Sequence, residues 1–271
     1  MSVLRAPTTA EPAAGTRTGR GRDRAAAPRT ARLHRVLPGG MWTREWLLTL
    51  ARPRSVVVKL AMPLVLAVPL VAGHAPTFWA GMLLTVLVAM VGAVGSGVAL
   101  ARARSGGLLA RLAVVPRSPA RTVGGWVLAA AAVDTVQMLP VAAVVLAAGA
   151  ADPAAAVALL LCIPAVVLAT NALGCALSLL AGGPGEVLLD VIVVLAPLLF
   201  LGGLFSGVPA AGWRHWAARL DPFAYLHSGF VGALGGSPGV GAGEVIAAAL
   251  ITAAVACAGL ALLSRTLLER G

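Results

Sequence analysis

Six stretches of this chain are each long and apolar enough to cross a bilayer, and no other feature constrains its fold as strongly. A helix needs about 20 residues to cross roughly 30 Å of hydrocarbon, because each residue rises about 1.5 Å and lipid offers no partner for a free backbone group. The stretches read as spans over Ser55–Gly73, Thr77–Leu100, Thr122–Ala148, Pro153–Ala181, Glu186–Ser206 and Ala242–Ser264. The expected fold class is therefore all-α, a polytopic membrane protein with six transmembrane helices. Only 11% of the residues are charged, against about 25% in a soluble domain, so the chain lacks the surface chemistry to live in water. Lys59, Pro63 and Pro69 interrupt the first span. Lys59 lies near one end and is expected to snorkel to the headgroups, while prolines are tolerated where neighbours take up the freed carbonyls.

The basic residues orient the spans, since Lys and Arg are retained on the cytoplasmic side. Nineteen of the 21 fall before or beside the first span, in the connection after the second, or in the C-terminal tail. Arg214 and Arg219, between the fifth and sixth spans, lie on the opposite face. Both termini are expected in the cytoplasm, with the chain multi-pass in a bacterial plasma membrane. Residues 1–40 hold eight Arg among Ala, Pro, Thr and Gly, and read as a disordered basic cytoplasmic tail without the apolar segment of a secretory signal.

Several chemistries are unsupported. Aromatics make up 4% of the chain and do not alternate with basic residues, so no base-stacking surface is expected and nucleic acid is not a partner. Cys162, Cys175 and Cys257 lie in apolar runs without metal-type spacing. His34, His74, His215 and His227 fall in separate segments and read as surface residues, so no metal site is expected. Gly95-Ser96-Gly97 has no histidine in another span to make an intramembrane protease, and no catalytic residue is assigned. Asp134 and Asp190 are ionisable groups inside spans, with Gln137 and Asn171 as polar neighbours, and should face protein or water. Asp190 is close enough to Glu186 to reach the interface, whereas Asp134 is near mid-span and is expected to hydrogen-bond between helices or stay neutral, with lining of the substrate path and proton coupling as the alternatives.

Three segments outside the spans carry more information. Residues 41–52 form a short amphipathic helix with Trp42, Trp46, Leu47 and Leu50 on one face and Arg44, Glu45 and Thr49 elsewhere, suited to the cytoplasmic interface. Between the second and third spans, Ser105, Gly106 and Gly107 break the helix, and Leu108, Leu109, Leu112 and Val115 then form an apolar stripe beside Arg104 and Arg111, ended by Pro116. That stripe needs a surface, either the bilayer or a docked protein. After the fifth span, the glycines of LGGLFSG precede a short helix with Trp213 and Trp216, then a second helix around Phe223–Leu234. This pair suggests a re-entrant hairpin in the outer leaflet before the last span.

In these segments the chain resembles the permease subunits of type-2 ABC exporters. The fifth-span pattern of that family, close to P-L-x-F-L-S-G-x-F, is matched by Pro197, Phe200, Leu201, Gly203 and Phe205, with Gly202 where serine is usual. An outer pattern N-P-x-x-Y is matched by Asp221, Pro222 and Tyr225, with Asp221 in place of asparagine. In the connection after the second span Gly107, Leu112 and Pro116 match, while Ala103, Ser105, Leu108 and Ala110 stand where acids and threonine are common. Gly107, Arg111 and Pro116 fit better the basic loop of the daunorubicin-resistance-like branch.

The resemblance covers the chain from Met41 onward, a type-2 transmembrane domain with residues 41–52 as its elbow helix. It implies a separate cytoplasmic ABC ATPase in two copies, with ATP and magnesium bound there, and a second permease copy, identical or not. A phosphate-binding loop of the form G-x-x-x-x-G-K-[ST] requires a lysine, and the chain's single lysine, Lys59, follows Val58 within a span. No cofactor is expected on this chain. The expected ATPase-coupling residues are Arg44, Gly107, Arg111, Leu112 and Pro116, and the substrate-path candidates are Phe200, Phe205 and Asp134. The implied activity is export of a hydrophobic drug or natural product. Export of a polysaccharide or lipid-linked glycan, and proton-coupled secondary transport, are the alternatives.

Overall fold

The computed structural model describes residues 41–51, 53–113, 118–149, 152–209 and 211–269, and among these it contains helices and turns but no strand. In chain order the helices are α1 (Met41–Leu50), α2 (Pro53–Ala72), α3 (Thr77–Ser105), α4 (Leu108–Ala113), α5 (Pro119–Ala148), α6 (Pro153–Leu177), α7 (Pro184–Leu201), α8 (Trp213–Leu220), α9 (Pro222–Ala233) and α10 (Ala242–Glu269). Helices α3, α5, α6, α7 and most of α10 are long and apolar enough to cross a membrane, and α2 adds a shorter apolar stretch, Val56–Ala72. Proline opens α5, α6, α7 and α9, where its fixed φ suits a helix start and its missing N–H is not needed. Gly107, at φ +67, ends the run of α3 and turns the chain into α4.

The ends of the long helices depart from their apolar stretches in both directions. Helix α3 continues past Leu100 through two arginines, because the Arg104 guanidinium donates to the carbonyls of Ser178 (2.8 Å) and Ala181 in the turn between α6 and α7. Helix α7 stops at Leu201, short of the expected Ser206, since Gly203 takes φ +79 and the chain turns back. Helix α6 also stops earlier than expected, at Leu177, and a turn leads to Ala181.

Helix α6 is the centre of the bundle and packs against α3, α5, α9 and α10. The α3–α6 crossing is close because small residues line it. A Cβ on Gly174 would overlap the Ala93 carbonyl, and one on Gly97 would lie 2.7 Å from Val187 Cγ1 and 2.9 Å from the Gly174 carbonyl oxygen. In membranes such small-residue contacts replace the hydrophobic effect as the source of helix association. The bundle has two distinguishable ends. At one, Arg104 ties the end of α3 to the α6–α7 turn. At the other, Gly149 meets Ala233 and Gly236 meets Thr77, which joins the end of α5, the end of α9 and the start of α3.

Helix α4 corrects one expectation. Its apolar stripe does not await an outside surface: Leu109 is 1% exposed, Leu112 packs against the core, and the helix lies on α3 and α10. Val115 lies outside the described residues.

Candidate functional site

Three clusters hold the residues singled out above. The first lies inside the bundle. Asp134, on α5 and 4% exposed, accepts a hydrogen bond from Asn171 Nδ2 of α6 at 3.3 Å and stands 4.0 Å from Lys59 Nζ of α2. Ser96 of α3 donates to Asn171 Oδ1, and Asn171 Nδ2 also reaches the Val167 carbonyl at 2.8 Å. Four helices are thus joined through one polar chain. Gly95 of α3 faces this carboxylate, at a spacing that would bring a Cβ there into ordinary contact with Asp134 Oδ2. A cavity of about 100 Å³ opens beside the cluster, lined by Lys59, Ser96 and Asp134 together with Thr49, Gly95 and Trp126. Lys59 is therefore paired with an acid rather than directed only to headgroups, although half of its side chain stays exposed. Gln137, one turn along α5, is buried with neither amide atom hydrogen-bonded.

The second cluster gathers the residues of the two family patterns, which lie about 20 positions apart in the chain. The end of α7 supplies Leu201, Gly202 and Gly203; the junction of α8 and α9 supplies Asp221 and Pro222. Asp221 caps α9 by accepting from the Phe223 N–H at 2.9 Å through Oδ1, while its Oδ2 is buried without a hydrogen-bond partner. The two departures from the patterns, Gly202 and Asp221, meet each other: a Cβ at 202 would sit 2.6 Å from Asp221 Oδ2. Serine at 202 would crowd an acid in this position, so glycine and aspartate are matched here. Gly203 is required by its positive φ and by the return of the chain, since a Cβ there would lie 2.8 Å from Val208 N. Tyr225 O–H donates to the Arg219 carbonyl at 2.9 Å and fixes α8 against α9. Pro197 lies within α7 on an exposed position.

Phe200 and Phe205 are each about half exposed, 47% and 48%. The Arg214 guanidinium lies 4.9 Å from the centre of the Phe200 ring and donates to Ser206 Oγ at 3.0 Å. These phenylalanines belong to the Asp221 side of the molecule and share no cluster with Asp134. His227 departs from the surface role expected of it: it is 9% exposed, with Nε2 3.0 Å from the Phe78 carbonyl and its ring edge-on to Phe78.

The third cluster is at the Arg104 end. Gly107 forms the α3–α4 turn, Arg111 projects exposed from α4, and Leu112 is half-buried. Helix α1 packs on α5 and α2, with Trp42 47% and Leu50 66% exposed. The Arg44 side chain and Pro116 lie outside the described residues.

Reading the chain alone missed several members. Thr170, Ala169 and Leu173 of α6 line a cavity with Asp221, and nothing in their apolar run marks them out. Lys59 and Ser96 were visible as polar residues in spans, but their partners are 75 positions away in each case. No curated protein and no solved structure matches this chain. A protein family does: residues 39–234 match the ABC-2 type transporter family. With its apolar helices, its small-residue crossings and this match over most of its length, the chain belongs to the ABC-2 type transporter family.

Proposed function

We propose that this chain is the permease subunit of an exporter powered by a separate ABC ATPase, and that it carries a hydrophobic drug or natural product outward. Membership of the ABC-2 transporter family and the five long apolar helices establish a multi-pass membrane permease; the remaining detail is our reading. In it α2, α3, α5, α6, α7 and α10 are the six spans, α1 is the elbow at the cytoplasmic interface, and α8 and α9 form a re-entrant hairpin. The hairpin reading is supported by the path of α9. Its Gly232 lies against Ala155 at the start of α6, while Phe223 shares a cavity wall with Thr170, about 22 Å further along α6 at 1.5 Å per residue. The turn between α8 and α9 borders the same cavity as α6 and α7, and its Asp221 is buried while Leu220 is exposed.

The observation that carries the export reading is the construction of the Arg104 end. Arg104 joins two connections that both lie on the basic face, and α4 is packed onto α3 and α10 rather than loosely tethered. A push on α4 is therefore delivered to two spans at once. Closure of an ATPase pair against Arg111 and α1 would tilt those spans and open the path outward. The second permease copy would complete that path.

The test is co-expression with an ATPase subunit encoded beside the permease gene. Arg111→Glu, on an exposed site, is expected to leave the permease folded while abolishing co-purification of the ATPase and export. Unchanged co-purification and export would remove Arg111 from the coupling surface. A second reading, proton-coupled transport, rests on the buried Asp134 with its Lys59 partner and adjoining cavity. Full export by Asp134→Asn would exclude it.

A further inference from the structure

We propose that the cavity beside Asp221 binds the protonated amine of an amphipathic organic cation. The proposal rests on the permease reading and names a substrate class for it. The cavity, of about 250 Å³, lies between α6, α7, α8 and α9 and is walled by Leu173, Leu198, Leu201 and Phe223, with Thr170 and Asp221 as its polar members. Asp221 is 6% exposed, and no ion pair to it exists among the described residues. Its Oδ1 is engaged by the Phe223 N–H, whereas Oδ2 has no partner.

A buried carboxylate oxygen without a donor is costly in a low-dielectric setting, and a cation that brings N–H donors removes that cost. The character of the walls selects the kind of cation. A bare metal ion needs about six oxygen ligands, and the cavity offers one carboxylate and one hydroxyl, the latter already donating to Val166 and Val167 carbonyls. An ammonium on an apolar body meets both demands, placing its head on Asp221 and its body against the leucines and Phe223. The volume admits a body of one or two fused rings, since ligand pockets enclose most of the surface of what they hold. Gly202 withholds a side chain from that enclosed oxygen, so no donor reaches it from α7.

Substituting asparagine isolates the charge, because Asn retains the oxygen that caps Phe223. The experiment uses the purified full-length permease in lipid nanodiscs, without ATPase or ATP, and tritiated tryptamine as probe in a scintillation proximity assay. Neutral 3-propylindole serves as the uncharged competitor of matching shape. Wild type is expected to bind tryptamine at least tenfold more tightly than 3-propylindole, and Asp221→Asn to erase that preference while leaving 3-propylindole binding unchanged. Ala169→Phe, which fills the cavity from α6, is expected to weaken both, with monodispersity on gel filtration confirming that each variant folds. Equal binding of the two compounds to wild type, or an amine preference that survives Asp221→Asn, would overturn the proposal. Because binding is measured without the ATPase, that outcome leaves the ATP-driven export reading standing, and loss of export without loss of binding would strike only the latter.

Discussion

Asp134 illustrates how a single side chain organises this bundle. A carboxylate at that depth is expensive unless paired, and Asn171, Lys59 and, through Asn171, Ser96 supply the pairing from three other helices. The Lys59 contact is long and half its side chain is exposed, so Lys59→Met is expected to cost only about 1 kcal/mol, below the ~3–5 kcal/mol of a fully buried pair. In an Asp134→Asn background the same change is expected to cost nothing beyond about 0.5 kcal/mol. Thermal unfolding of the four proteins in one detergent measures this coupling, and equal costs in both backgrounds would show that the two residues do not interact. Asn171→Ala, which removes the bonds to both Asp134 and Ser96, is expected to destabilise by about 1–3 kcal/mol, at about 1 kcal/mol per interhelical hydrogen bond in a membrane. Asp134 and Asn171 were recognisable as polar residues in spans. Their pairing was not, because apolar periodicity says which residues are buried but not which faces of distant helices meet.

At the scale of helices, close approach and turn geometry decide the packing. Gly174→Ala is expected to destabilise by about 1–3 kcal/mol, because the new methyl meets backbone of α3 rather than a side chain that can move aside. Gly124→Ala, in α5 with nothing within 4 Å of the new Cβ, is expected to stabilise by about 0.5–1 kcal/mol. Retention of folded protein after graded heating separates the two. Leu109→Ala is expected to cost about 2–5 kcal/mol, since the residue is fully enclosed where α4 meets α3 and α10. The apolar runs made the long helices and the GG breaks legible. The stops were less so: α3 outruns its apolar stretch because carbonyls at the α6–α7 turn receive Arg104, and α7 halts early because Gly203 adopts a left-handed backbone. The placement of α4 was misjudged for a related reason. A leucine stripe read without the helices around it looks like an outward-facing surface, and here the ends of α3 and α10 had already occupied it.

For the whole molecule, the two ends of the bundle carry different chemistry. The Arg104 end gathers basic residues and the short helix α4, and the opposite end gathers the junctions of α3, α5, α6 and α9. In the orientation proposed above, which follows the 19 of 21 basic residues on one side of the spans, the first end faces the cytoplasm. In a Cys257→Ala background, which removes the one exposed native thiol among the described residues, single cysteines at Arg102 and Trp213 are expected to react with a membrane-impermeant maleimide from opposite sides. Labelling of both from one side would invert or break the topology. In the proposed cycle an outside ATPase drives this permease through its cytoplasmic end. Co-reconstitution of permease and ATPase in liposomes, with uptake of an amphipathic fluorescent amine followed on addition of ATP, tests that coupling. Uptake is expected to require ATP and to vanish with an ATPase-dead partner and with Arg111→Glu. Uptake that persists without ATP and follows an imposed proton gradient would contradict it.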